Sequence, residues 1–188
     1  MNNLVSVIMP YYNKRNYFLD SINSVLNQTY INLEILIIYD DKKKDDLEYI
    51  KSCIKNDSRT KIILNDKNRG VAFSRNKAIS AAQGKYIAFL DCDDYWEANK
   101  IEVQMNFMLT HGYDFSYTTY RVINSDGKIV DKIKARKKLE YNELLKSCDI
   151  GLSSVILKRK LLNNMKFPEL KTKEDFVLWL GLAKKSVN

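Results

Sequence analysis

Apolar positions along this chain fall into short blocks whose period keeps changing. Residues 4–9 (LVSVIM) form a β-rich run that Pro10 is expected to stop. Phe18, Ile22, Val25 and Leu26 then recur at helical spacing, which predicts a helix ending near Gln28. Leu33–Tyr39 (LEILIIY) is apolar almost throughout, the signature of a strand buried on both faces. A helix over 45–54, a short strand over 61–64, a turn-like stretch at 65–70 (NDKNRG) and a helix over 71–82 come next. Gly84 ends that helix and a fourth strand covers 86–90 (YIAFL). Strands alternating with helices across short loops imply right-handed βαβ units, hence an α/β fold with a doubly wound, mostly parallel sheet.

Beyond Trp96 the pattern loosens. It predicts a helix over 101–109 and a hairpin pairing 115–122 with Ile129 and Val130 across a turn at Asp126 and Gly127. A short helix over 141–147, a strand over 154–157 and an apolar helix over 176–183 follow. The last is apolar almost all round, so it is expected to be buried. There is no internal repeat and no Pro/Gly/Ser linker. The chain therefore reads as one domain over 1–188, with a regular half to about residue 95 and a less regular, mixed half after it.

Composition narrows the class. With 188 residues, 45% of them hydrophobic, the chain can bury one core, and six Gly, two Pro and 29% charged residues exclude disordered and collagen-like classes. The formal charge of +8 raises nucleic acid, anionic membrane and phosphate-bearing ligands together. No basic helix or aromatic-basic platform supports nucleic acid, which is not an expected partner. Three scattered cysteines and the single His111 argue against a disulfide framework and a Cys/His zinc site. The N-terminus lacks a basic leader region, and the longest apolar run (35–39) is far below the ~20 residues that span a bilayer. A soluble, cytoplasmic protein is the expectation.

Candidate chemistry follows from the sheet. Open parallel sheets bind ligands at the carboxyl ends of their strands, which selects Pro10 to Asn13, Asp40-Asp41, and Asp91-Cys92-Asp93-Asp94. Carboxylates crowded at one edge fit a hard divalent cation, Mg²⁺ or Mn²⁺, taking one or two carboxylates plus ligand phosphates. The competing reading of 91–94 is an Asp-rich loop that caps the next helix. Arg75 projects from the apolar stripe of its helix and needs a partner, either a carboxylate of the acidic loop or a diphosphate gripped bidentately. Glu174 and Asp175 precede the apolar helix and suit either a catalytic base or N-terminal capping, Thr172 and Asp175 having capping-box spacing.

VSVIMPYYN, SVLNQTY, LEILIIYDD, NRGVAFSRNKAI, GKYIAFLDCDDYW and KEDFVLWLGLAKK, in that order and over essentially the whole chain, resemble family 2 glycosyltransferases of the GT-A fold. The resemblance implies a Rossmann-like nucleotide-sugar-binding half and a C-terminal acceptor half. It implies inverting transfer of a sugar from a nucleoside diphosphate donor, UDP favoured, to a hydroxyl of a saccharide or lipid-linked acceptor in bacterial surface polysaccharide or lipopolysaccharide synthesis. By its motifs Pro10 and Tyr12 would flank base and ribose, Asp41 would bind the base edge, and Arg75 would lie by the nucleotide or diphosphate. Asp91 would face the ribose or a metal-bound water, Asp93 would hold Mn²⁺ or Mg²⁺, and Asp175 would be the general base oriented by Glu174.

Two departures stand out. Lys42-Lys43-Lys44 replaces the family's small turn after Asp40-Asp41, and the chain ends soon after the Glu-Asp helix, so the acceptor half reads as truncated. A peripheral contact at the inner face of the membrane and a homodimer are the further partners this reading admits. The alternatives are a nucleotide-sugar-binding domain without activity and a phosphatase of the haloacid dehalogenase type. The second is disfavoured because the Asp-x-Asp strand is the fourth and Tyr95 stands where that family has Thr or Val.

Overall fold

The computed structural model describes residues 3–186. β1 (Val5–Tyr11), β2 (Leu33–Tyr39), β3 (Thr60–Leu64) and β4 (Tyr86–Phe89) run parallel, each strand linked to the next by one of the helices α1 (Arg15–Leu26), α2 (Leu47–Ile54) and α3 (Val71–Ala81). After α4 (Lys100–His111) come β5 (Phe115–Ser116) and the hairpin β6 (Tyr120–Ile123) and β7 (Ile129–Ile133). The short helix α5 (Tyr141–Leu144), a 3-10 turn at Leu152–Ser154, β8 (Ile156–Lys158) and α6 (Glu174–Ser186) complete the chain. The six-stranded sheet has the order β3-β2-β1-β4-β8-β5, with β8 antiparallel to both of its neighbours. The expected α/β class, mostly parallel with a mixed second half, is the one observed.

Two cores cover the sheet, and the two-residue alternation of strand side chains decides which residues enter each. Val5, Val7 and Met9 of β1 and Ile35 and Ile37 of β2 face α1, α2 and α4 through Phe18, Ile22, Ile50, Ile101 and Met105. Ile8, Leu36, Ile38 and Phe89 face α3 and α6 through Ala72, Ala78, Leu178 and Trp179. Every residue of β2 is buried, as its unbroken apolar run requires.

Three expectations are corrected. Pro10 does not stop β1, which continues to Tyr11 paired with β2. The carbonyl of Ile8 accepts from Leu90 on the β4 side and that of Tyr11 accepts from Asp40 on the β2 side. Pro10 therefore turns its nitrogen to the β4 side beyond the end of β4, where no ladder bond is lost. Residues 115–122 do not form one hairpin strand. Phe115 and Ser116 join the main sheet beside β8, whereas Tyr120–Ile123 pairs only with β7. α6 is not buried all round: Leu178, Trp179 and Leu182 pack inward while Val177 is 43% exposed, because the helix lies on an outer face of the sheet.

The junction between α3 and β4 is held by a buried carboxylate. Glu34 accepts from the amides of Gln83 (2.6 Å) and Gly84 (3.1 Å) and from the hydroxyl of Ser6 (2.5 Å). A Cβ on Gly84 would lie 2.5 Å from Ser6 Oγ and 2.7 and 2.8 Å from backbone atoms of Ser6 and Leu4. Gly84→Ala should therefore lower stability by about 1–3 kcal/mol, the usual cost of overpacking. Urea unfolding measures it, and an unchanged midpoint would show that this junction yields.

Candidate active site

In the order 3-2-1-4 the chain builds outward from β1 and then returns to its other side, which makes the β1/β4 boundary the switch point where such sheets open a crevice. A cleft of about 410 Å³ lies there, within the size range of small-ligand sites. Pro10 and Tyr12 reach it from β1, Asp40 from β2, Gly70 and Arg75 from α3, Asp91 and Asp93 from beyond β4, and Glu174 from α6. A second cleft of about 470 Å³ sits beside Leu4, Lys85 and Arg159, at the amino ends of the parallel strands and without a carboxylate in its lining.

Asp40 sets the shape of one wall. Its buried carboxylate accepts from Asn65 Nδ2 (2.7 Å) and from the amides of Arg69 and Gly70 (both 2.8 Å). Gly70 has φ of +88°, a conformation that disfavours a side chain, and it precedes the first residue of α3. The loop is thus folded back onto Asp40, and the amino end of α3 opens on the cleft. Asp41 lies outside the lining and accepts instead from the Lys43 amide (3.0 Å).

Arg75 is the central cation. It is 3% exposed, with Nη2 donating to Asp91 at 2.7 Å and Nη1 to Glu174 at 2.5 Å, and its guanidinium lies 5.4 Å from the Phe167 ring centre. The sequence places it beside the acidic loop with a carboxylate of that loop or a diphosphate as partner; Asp91 is such a carboxylate, and Glu174 is the partner the sequence does not name. Asp93 is held by Lys14 Nζ at 2.6 Å, and this bond raises the lysine pKa. Asn13, in a left-handed conformation at φ 49°, turns the chain so that Lys14 also lines the cleft. Lys14 was missed: its only signal was a lysine directly after the first strand-end turn.

Asp94 and Ser153 brace the same loop. Ser153 Oγ donates to Asp94 (2.6 Å) and accepts from the Asp91 amide (3.2 Å), and burial pushes the Asp94 carboxyl above its ordinary pKa. Glu174 opens α6, so Thr172 lies one residue before the cap position and the capping box, one of the two alternatives for this pair, does not form. Asp175 is half-buried outside the cleft lining, its Oδ1 accepting from the Phe176 amide at 2.8 Å, and burial raises its pKa above the ordinary aspartate value. The structure thus brings Pro10, Tyr12, Arg75, Asp91, Asp93 and Glu174 together and leaves Asp41 and Asp175 beside them.

Four carboxylates (Asp40, Asp91, Asp93, Glu174) face two cations (Lys14, Arg75) around the cleft, an excess of negative charge in a chain of net charge +8. No cluster of three or more His, Cys, Asp or Glu side chains suited to a metal exists among the described residues. A divalent ion bound through all-protein ligands does not fit this arrangement. One bound through Asp93 and completed by ligand phosphates does, since that carboxylate is 41% exposed and tied only to an equally exposed lysine.

The fold and cleft define an α/β protein of the GT-A type, and the comparisons carry this to a family. The profile of glycosyl transferase family 2 matches residues 6–169. A relative from Escherichia coli, UDP-Glc:alpha-D-GlcNAc-diphosphoundecaprenol beta-1,3-glucosyltransferase WfgD, is 46% identical over 181 residues, covering 96% of this chain and 70% of its own. The Bacillus subtilis (strain 168) putative teichuronic acid biosynthesis glycosyltransferase TuaG is 38% identical, covering 97% and 73%. The crystal structure of S. aureus TarS 1-349 in complex with UDP superimposes with a TM-score of 0.76 at 26% identity, covering 95% of this chain and 54% of that one. The chain belongs to glycosyl transferase family 2.

Two substitutions test this region. Arg75→Met leaves Asp91 and Glu174 without their cation and should cost about 3–5 kcal/mol in urea unfolding, as breaking a buried ion pair does; a loss below about 1 kcal/mol would mean that both carboxylates are solvated as well without it. Lys100, also missed, has a buried Nζ with no hydrogen-bond partner, 4.1 Å from the Trp96 ring centre, and burial pushes its pKa down to about 7. A lysine pKa depressed by folding penalises the folded state most below about pH 7, and the penalty fades as pH rises toward the ordinary value near ~10.4. Lys100→Met should therefore raise the melting temperature, most at neutral pH and less on the alkaline side. A lowered melting temperature would instead give the stacked ammonium a stabilising role.

Proposed function

We propose that this chain transfers a sugar, with inversion, from a nucleoside diphosphate donor to a hydroxyl of a saccharide or lipid-linked acceptor during bacterial surface polysaccharide synthesis. The observation that carries this reading is the pair Asp91 and Asp93 at the switch-point cleft, facing Lys14 and Arg75. UDP is the favoured nucleotide, supported by TarS, solved with UDP and with UDP-GlcNAc, and by the donor in the WfgD name. The WfgD acceptor is a lipid diphosphate sugar and TuaG is assigned to teichuronic acid, which supports the acceptor class.

When bound, Mg²⁺ or Mn²⁺ supplies the positive charge that stabilises the departing diphosphate. Asp93 would hold it, with Lys14 free to turn to a phosphate oxygen. Pro10 and Tyr12 flank the nucleoside. Arg75 acts by fixing Asp91 and Glu174, since both of its terminal nitrogens are engaged by carboxylates. The acceptor oxygen attacks the anomeric carbon, the bond to the diphosphate oxygen breaks on the opposite face, and Asp175 takes the hydroxyl proton. Burial makes Asp175 a stronger base than an exposed aspartate, and positioning of the acceptor supplies most of the remaining rate.

Turnover of a UDP-sugar with Mn²⁺ tests the assignment. Asp93→Ala should lower the rate roughly 10²–10³-fold, as loss of a main electrostatic element does. Asp175→Asn should abolish transfer while donor binding, read by thermal shift, persists. The wild-type rate should fall on the acid side with an apparent pKa above that of an exposed aspartate, because protonation removes the base. Unchanged turnover in Asp93→Ala would remove the metal role. Donor binding by the wild type without turnover on any acceptor would leave a nucleotide-sugar-binding domain.

A further inference from the structure

We propose that the β6–β7 hairpin is a docking surface for an anionic lipid bilayer. Residues 120–138 hold seven Lys or Arg against Asp126 and Asp131, a net +5 of the +8 carried by the whole chain. The hairpin is a separate two-stranded sheet outside the main one. Its register sets Arg121 directly opposite Lys132 and Ile123 directly opposite Ile129. Like charges facing each other across a strand pair are unfavourable unless an anion lies over them. Arg121, Arg136 and Lys138 are offset by Glu97 (3.3 Å), Asp149 (3.0 Å) and Glu140 (2.9 Å), but Lys128, Lys132, Lys134 and Lys137 make no ion pair among the described residues.

Exposed aliphatic side chains accompany this charge. Ile129 and Val130 are 59% and 61% exposed, and Val122 and Ile123 more than a third exposed. A polyanion such as nucleic acid would use the lysines alone. Cationic side chains interleaved with protruding Ile and Val fit a bilayer, whose headgroups attract the first while the interface takes up the second. The root of the hairpin contacts segments that flank the acidic loop. Arg121 bonds Glu97, three residues past Asp94, and the Tyr120 ring packs so closely on Gly151 that a Cβ there would lie 2.9 Å from it. Gly151 leads into the turn whose Ser153 holds Asp91 and Asp94. Docking by the hairpin would thus bring the acidic cleft close to the membrane, where lipid-linked acceptors reside.

Vesicle sedimentation tests this without donor or acceptor, so its outcome is independent of whether sugar transfer is correct. The protein should partition onto mixed phosphatidylglycerol–phosphatidylcholine vesicles and far less onto phosphatidylcholine alone, with added salt weakening the binding. Lys128→Gln/Lys132→Gln/Lys134→Gln should reduce partition roughly tenfold or more. Ile129→Ser/Val130→Ser should reduce it severalfold while retention on heparin is kept, and both variants should melt as the wild type does. Failure of the wild type to bind anionic vesicles would overturn the proposal. So would wild-type partition by the lysine variant, or an aliphatic variant that still binds vesicles fully, which would mark a general polyanion patch.

Discussion

A guanidinium almost wholly removed from water has to be neutralised where it lies, and Arg75 meets that demand with two carboxylates far apart in the chain. Asp91 arrives from the end of β4 and Glu174 from the first residue of α6, with α3 carrying the arginine between them. Three elements are therefore fixed at one point on the carboxyl edge of the sheet. The bidentate geometry of Arg, which a lysine does not share, suits this task of holding two acids at a set separation. It also decides which aspartate stays available. Asp91 is committed to Arg75, whereas Asp93 has only the exposed Lys14 as its partner.

The same constraint gives the cleft its electrostatic character. Each buried acid around it has a defined donor: backbone amides for Asp40 and Arg75 for Glu174. The least satisfied carboxylate is the one beside the opening, where a cation and a diphosphate would meet. The strand order explains why the cleft lies at the β1/β4 boundary. No helix among the described residues is long and apolar enough to cross a membrane.

Much of this was legible in the chain. The unbroken apolar run of β2 announced a strand buried on both faces, and a lone arginine in the apolar stripe of α3 announced a buried cation needing a partner, carboxylate or diphosphate, near the acidic loop. What escaped notice depended on pairing across distance. Pro10 stays in β1 because β4 ends before reaching it, a fact of register and not of local propensity. Residues 115–122 split between two sheets with no Gly or Pro to mark the break. Glu174, expected to orient a base, lies against an arginine 99 residues away, and Lys14 and Lys100 gave no local sign of their surroundings.

The most direct test of the central claim is a double-mutant cycle combining Arg75→Met with Glu174→Gln, read by urea unfolding. If Arg75 locks α6 to the sheet through Glu174, the two losses will be strongly non-additive, with a coupling energy of about 1.5–3 kcal/mol. Losses that add to within about 0.5 kcal/mol would contradict the account, because the arginine and the helix would then be held in place independently of each other.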